Sequence, residues 1–382
     1  MKRPQSVRNE PSMVVDGIRL FLAGDVMLGR GIDQVLQYPG DPRLHEPYVT
    51  SAERYVELAE STNGPIPRPV DCSYVWGDAL GELRKARPDA RIINLETSIT
   101  RSARYVSKGI NYKMSPENAP CLAAAAIDCC VLANNHVLDW GREGLLETLE
   151  ALGAAGIHAA GAGRNAAQAS APAVLDERGK GRVVIFAFGS ETSGISSDWA
   201  AGTNEPGVNL LPDLSDRAVA RIAAQVRSTK RPGDVLVASI HWGANWGYEI
   251  PSSHRNFAHG LIDEAGFDVV HGHSSHHPKG IEIHKQKLIL YGCGDFLNDY
   301  EGIGGHEEFR GDLTLMYLAL FSSADGSLLQ LNMIPFQIRR FRLCRASREE
   351  ARWLCGTLDR ETVPLGAHVT LSEDSVLTVQ WG

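Results

Sequence analysis

Long apolar runs are missing from this chain of 382 residues, and no stretch is long enough to span a bilayer. The sequence therefore predicts no membrane partner. The segment Met1–Gly17 is charged throughout and lacks the apolar core of a secretion signal, so it reads as an N-terminal tail and points to the cytoplasm. An excess of positive charge is also missing. Lys and Arg number 38 against 46 Asp and Glu, for a net charge of −8 with no basic stripe, which argues against a nucleic-acid partner. Cysteine is sparse, with seven residues at irregular spacing, so no disulfide framework is expected. Cys129 and Cys130 lie in an apolar run and read as small core residues, whereas Cys293, between Gly292 and Gly294, reads either as core or as a reactive thiol. The G-x-x-x-x-G-K-S/T phosphate loop is absent as well.

What is present is an alternation of strand-like and helix-like patterns, the mark of a layered α/β fold. Strands are expected at Ile18–Ala23, Arg91–Ile93, Cys129–Ala133, Val183–Phe188, Val235–Ile240 and Phe267–Val270. Helices are expected at Gly31–Leu36, Trp76–Ala86, Glu117–Ala126, Gly141–Ala155, Leu214–Val226 and Arg255–Ala265. Tyr38–Val75, with six prolines, resists a regular reading and is expected to wrap the domain or line a site. Further on, Ile281–His284 with Leu288–Tyr291, and Leu313–Phe321 with Leu328–Ile334, read as antiparallel hairpins. The expected organisation is a tail, one domain over residues 18–340, and a packed extension over residues 341–382.

Five polar clusters each follow an apolar strand-like run: Gly24-Asp25, Asn94-Leu95-Glu96, Asn134-Asn135-His136, His241-Trp242-Gly243, and the run from His271 to His277. In an open α/β sheet the carboxyl ends of the strands share one edge, where ligands bind. The clusters would meet there and offer carboxylate, amide and imidazole donors suited to one or two divalent metals.

Each cluster has a plainer reading. Asp25 could cap a helix, and Glu96 could be a solvated carboxylate. Two amides and an imidazole directly after Val131-Leu132-Ala133 are harder to explain by packing, and Asp139 is placed to orient His136 through its second ring nitrogen. His273, His276 and His277 form the densest imidazole set, with Pro278 preventing a simple helix, and at least two of them are expected to hold metal. Asp295 and Asp299 read as general bases, orienting groups or turn residues. Arg30 and Lys113 are candidates for an anionic substrate group. Trp242 and Trp246 are candidates for a pocket wall.

Taken together and in order, Gly24 to Arg30, Asn94 to Thr97, Ala133 to Gly141, His241 to Gly243 and Gly272 to Pro278 resemble the CapA family, named for poly-γ-glutamate capsule synthesis. The resemblance spans roughly Ile18 to Asp299. It implies a branch of the calcineurin-like metallophosphoesterases, with a two-sheet α/β sandwich and flanking helices. By position, it implies that Asp25 is a first-metal ligand and that Glu96 stands in the bridging place. Asn135 would be the amide ligand and His136 the acid or base. His241 and His273 would be second-metal ligands, with His276 or His277 completing the first. Met27 stands where the superfamily usually has histidine and Glu96 where it has aspartate, so one ion or two stays open, as does the choice among manganese, zinc, iron and calcium.

Another branch that resembles this family epimerises the C-terminal residue of a ribosomally made lasso-peptide precursor. That chemistry suits these residues: a cation neutralises the α-carboxylate while one group removes the α-proton and a second returns it. His136 and Asp295 are the expected pair, with Asp299 as substitute, and the expected partner is a peptide. Hydrolysis of a phosphoester or peptide-like amide is the first alternative, and a non-catalytic assembly role is the second.

Overall fold

Alternating apolar side chains decide the architecture. In the first strand, Gly17–Val26, Leu20 and Leu22 face one way and Phe21 and Ala23 the other, and all four are buried. A strand of this kind needs cover on both faces. The computed structural model, which describes residues 17–177 and 179–382, provides it with four layers. The first sheet runs, edge to edge, through Ala367–Leu371, Leu377–Trp381, Leu328–Ile338, Leu313–Ser322, Gly17–Val26, Ala90–Leu95, Cys129–Val131 and His158–Ala160. The second runs through Leu210–Leu211, Gly181–Ser190, Val235–His241, Val269–His273, Lys287–Leu290 and Ile281–His284.

One apolar core lies between the sheets, where Leu20, Leu22, Ile92 and Val131 meet Val183, Ile185, Val237 and Leu288. The outer face of the first sheet, with Phe21, Ala23 and Ile93, is covered by Ile32, Val56, Leu83, Leu122 and Leu145 from its helices. The outer face of the second, with Phe186, Leu236 and Ile240, is covered by Val219, Ile222, Phe257 and Leu261. This is the expected two-sheet α/β sandwich with flanking helices, a metallophosphoesterase-like arrangement.

Within the first sheet Gly17–Val26, Ala90–Leu95 and Cys129–Val131 run parallel, and within the second so do Gly181–Ser190, Val235–His241 and Val269–His273. Their registers align the strand ends: Asp25 lies opposite Asn94 and Asp295, and His241 lies opposite His273. A bond of 2.9 Å between His271 Nε2 and the Ala23 carbonyl ties one sheet to the other at this edge. The strand Asp295–Leu297 approaches so closely that a Cβ on Gly24 would lie 1.9 Å from the Gly294 carbonyl oxygen, so only glycine fits there.

Several elements differ from expectation. The proline-rich segment contains a regular helix, Glu53–Asn63, because its prolines flank that stretch instead of interrupting it. Glu117–Ala126 divides into a 3₁₀ turn, Pro116–Asn118, and a short helix, Pro120–Ala124. Residues 341–382 contribute a helix, Arg348–Thr362, which starts with a Ser347–Glu350 capping box, and three strands of the first sheet: Leu343–Arg345 and Leu377–Trp381 pair with Leu328–Ile338, and Ala367–Leu371 pairs with Leu377–Trp381. Of the Met1–Gly17 tail, only Gly17 falls among the described residues. No helix among the described residues is long and apolar enough to cross a membrane.

Candidate metal centre

Strand ends bring the ligating atoms together. Atoms of Asp25, His241 and His273 lie within 4.8 Å of one another, and so do atoms of Asp25, His276 and Asp295. Asp25 is therefore the carboxylate common to both groups, in the place the resemblance gives to Glu96. Asn94 donates to Asp25 Oδ1 at 2.7 Å, and the backbone N–H of Ser274 donates to Oδ2 at 3.2 Å. Ser274 takes φ of 98°, a left-handed conformation unusual for a residue with a side chain, which marks stored strain at the turn that aims this N–H.

The imidazoles are fixed in the same way. Nδ1 of His241 and Nδ1 of His273 face each other at 2.8 Å, and the second nitrogen of His273 meets Ser239 Oγ at 2.9 Å. His241 Nε2 lies 2.9 Å from Asn135 Oδ1 and 3.8 Å from Glu96 Oε1. His276 Nδ1 lies 2.8 Å from Asp295 Oδ1, and its Nε2 lies 3.0 Å from the Asn245 side-chain nitrogen. Ser239, Asn135 and Asn245 thus each hold one ring through the nitrogen opposite its Nδ1.

Charge tests whether this set fits a cation. Asp25, Glu96 and Asp295 are all buried, and among the described residues their ion-pair partners are histidines alone. Burial, and then the Asp295 carboxylate, raises the pKa of Asp25 to about 7. Burial together with Asp25 and Asp295 pushes Glu96 well above its usual range. Burial also holds His241 and His273 well below theirs, so both rings are neutral, the form that ligates metal. Clustered acids short of positive charge, beside neutral imidazoles, fit a divalent cation bound by nitrogen and oxygen. Asp25, His241 and His273 would hold it, with Asn135 and Glu96 adjoining; Asp25, His276 and Asp295 would hold a second only in place of the proton shared between His276 and Asp295.

Beside the centre stand two His–Asp pairs of opposite character. His136 Nδ1 lies 2.6 Å from Asp139 Oδ2, its ring stacks on Tyr112 at 3.8 Å, and burial lowers its pKa to about 4. His136 is therefore neutral at pH 7, with Nδ1 donating to Asp139 and Nε2 available as an acceptor. His276 differs: burial lowers its pKa, but contact with Asp295 outweighs this and raises it. Both histidines lie close enough to His241 to depress its protonation further.

A cavity of about 670 Å³ opens beside this group, lined by Tyr112, Trp246, His276, Tyr300, Ile110 and Ile303 among others. Its two arginines are already committed. Arg30 binds Asp299 at 2.5 Å and Glu46 at 2.9 Å, and Arg310 binds Asp312 at 2.7 Å. Among the described residues lining the cavity, neither arginine is left free for an anion.

The placement of several expected residues needs correction. Asp299 is buried against Arg30 and the Gly31 N–H, so it anchors Arg30 and is not free to serve as a base. Arg30 is correspondingly unavailable for a substrate anion. Lys113 sits over the Trp140 ring at 3.7 Å and lines a different cavity, with Tyr38, Asp41 and Glu117. Trp242 is buried, stacks on His254 at 4.5 Å and donates to the Tyr291 carbonyl, so it belongs to the core, whereas Trp246 does face the cavity. His277 joins neither ligand group. It is boxed in by Trp246, Tyr248 and Phe309, and its buried Nε2 has no partner among the described residues. Cys293 is buried, and burial pushes its thiol pKa well above the usual value, which removes it as a nucleophile.

Sequence reasoning also missed residues. The Tyr112 and Tyr300 hydroxyls bond to each other at the cavity wall, and Lys108 reaches both Asp139, at 2.7 Å, and the Asn135 carbonyl. Asn134 donates to Asn94 at 3.0 Å and so steadies the amide that holds Asp25. The Asn134-Asn135-His136 cluster had already placed this amide at the sheet edge, without saying what it holds.

The chain has counterparts among known proteins. The family described as bacterial capsule synthesis protein, PGA_cap, matches residues 19–300. A probable polyglutamine synthesis accessory protein of Mycobacterium tuberculosis (strain H37Rv) is 47% identical over 366 residues, covering 95% of this chain and 96% of its own. The PGA biosynthesis protein CapA of Bacillus subtilis is 26% identical over 286 residues, covering 74% of this chain and 64% of its own. The capsule biosynthesis protein CapA of Bacillus anthracis is 23% identical over 287 residues, 74% of this chain and 60% of its own.

Proposed function

This chain belongs to the PGA_cap family of bacterial capsule synthesis proteins, and on that premise we propose that it is a metal-dependent acid/base enzyme acting on a peptide, most simply by epimerising the Cα of a C-terminal residue. The substrate in this reading is a ribosomally made precursor of the lasso-peptide kind. The observation that carries it is a pair of His–Asp contacts whose imidazoles are driven apart, His136 beside Asp139 downward to about 4 and His276 beside Asp295 upward. Environments that drive two like groups apart are how one site keeps an acceptor and a donor of protons together.

When bound, a divalent cation at Asp25, His241 and His273 neutralises the substrate carboxylate and favours charge developing beside it. The protein does the rest. Asp139 holds the His136 ring so that Nε2 can accept the α-proton, and the His276–Asp295 couple retains a proton that it can return. Trp246, with His306 stacked on it at 4.2 Å, offers a flat wall to the substrate side chain. Because Arg30 and Arg310 are paired, the cavity suits a neutral side chain better than a string of anions.

Hydrolysis is the second reading. The mycobacterial relative's name ties that protein to polyglutamine synthesis, and the same donors could activate water against a peptide-like amide. Incubating manganese-loaded protein with candidate peptides in D₂O separates the possibilities. Deuterium gain at one α-carbon without cleavage supports epimerisation. Shortened products overturn it in favour of hydrolysis, and no change with any peptide overturns both in favour of an assembly role.

A further inference from the structure

Two cysteines distant in sequence stand closer than unbonded sulfur atoms settle. Cys72, at the end of the proline-rich segment, and Cys121, in the helix Pro120–Ala124, have their Sγ atoms 2.7 Å apart across 49 residues. That is short of ordinary van der Waals contact and somewhat longer than the ~2.05 Å of a disulfide bond. The surrounding backbone keeps both residues there. On one side the Val70 N–H donates to the Val35 carbonyl at 2.8 Å, and on the other the Trp76 indole donates to the Cys121 carbonyl itself at 2.6 Å. Trp76 is fully buried, so this clamp is part of the core.

We propose that Cys72 and Cys121 form a reversible disulfide that staples the proline-rich segment to the helix Pro120–Ala124. Cys72 is half-buried and Cys121 buried, which sets the order of events. With a small disulfide such as oxidised glutathione as oxidant, the Cys72 thiolate attacks one sulfur of the reagent and expels a glutathione thiolate. The Cys121 thiol then gives up its proton, and its sulfur displaces the second glutathione from Cys72. Two protein thiols have lost two protons and two electrons, and one oxidised glutathione has become two reduced ones. The ring so closed contains Asn94, Glu96, Lys108 and Tyr112, all at or beside the candidate centre. Oxidation thus restrains the segment that carries them.

The test uses the full chain. Native protein is equilibrated with oxidised glutathione, free thiols are blocked with N-ethylmaleimide, and the unreduced digest is mapped by mass spectrometry. The expected result is a linked pair of peptides joining Cys72 to Cys121, with Cys129, Cys130 and Cys293 free. The unfolding midpoint of the oxidised protein should exceed that of the reduced protein by several degrees, a gain that Cys72→Ser abolishes. Recovery of Cys72 as a lasting glutathione or maleimide adduct, or its linkage to a cysteine other than Cys121, would overturn the proposal. The map of the unsubstituted protein stands even if Cys121→Ser does not fold.

Discussion

Metal binding at the Asp25 group should be proton-linked, by an amount the geometry sets. In the metal-free protein, burial and Asp295 place the Asp25 pKa at about 7, and a carboxylate must shed its proton to ligate. At pH 6 about nine-tenths of Asp25 is then protonated, and at pH 8 about one-tenth. That proton alone makes the apparent affinity for Mn²⁺ about tenfold tighter at pH 8 than at pH 6. Glu96, also held well above its usual range, adds to the dependence in the same direction. His241 and His273 add nothing, because burial already keeps them neutral at both pH values. Calorimetric titration of Mn²⁺ in two buffers of different ionisation enthalpy counts the protons released. About one or more per ion is expected at pH 6, and Asp25→Asn should remove most of the effect and weaken binding. Equal affinity at the two pH values with no proton release would refute the reasoning.

Three further outcomes follow from contacts around the centre. Asp139→Asn removes the acceptor that fixes the His136 tautomer, so exchange at the substrate α-carbon should fall by about 100-fold or more while Mn²⁺ affinity stays constant. Arg30→Met leaves Asp299 and Glu46 buried without their partner, and denaturant unfolding should show a loss of about 3–5 kcal/mol. His277→Phe should keep metal binding intact. Burial lowers the His277 pKa from 6.5 to about 4, so the unfolded chain takes up a proton that the folded chain refuses as pH falls through that window. The variant should therefore lose about 1–3 kcal/mol less than the parent between pH 6.5 and pH 4, measured as the difference between their stability curves.

The parts of this molecule that were legible in sequence share a physical cause. A buried parallel strand is an unbroken apolar run, and its end is visible as the first polar residue after it. Asp25, Asn135, His241 and His273 could therefore be assigned to one edge before any coordinates. The direction of neighbouring side chains beyond that edge was not legible. Trp242 and Trp246, like His276 and His277, lie in irregular backbone, where no period says which of them faces the cavity. The Arg30–Asp299 pair joins residues 269 apart, which no local pattern can report. Two misses had signals that went unread. Ser347 followed by Glu350 is a capping-box pattern for the helix Arg348–Thr362, and Tyr55, Val56 and Ala59 are helically spaced between the prolines.

An anomalous difference map from crystals equilibrated with Mn²⁺ tests the metal centre most directly. A peak within bonding distance of Asp25, His241 and His273 is the expected result, and a second between Asp25, His276 and Asp295 would make the centre binuclear. A crystal saturated with Mn²⁺ that shows no peak at Asp25, or shows peaks only on the surface, would contradict the account.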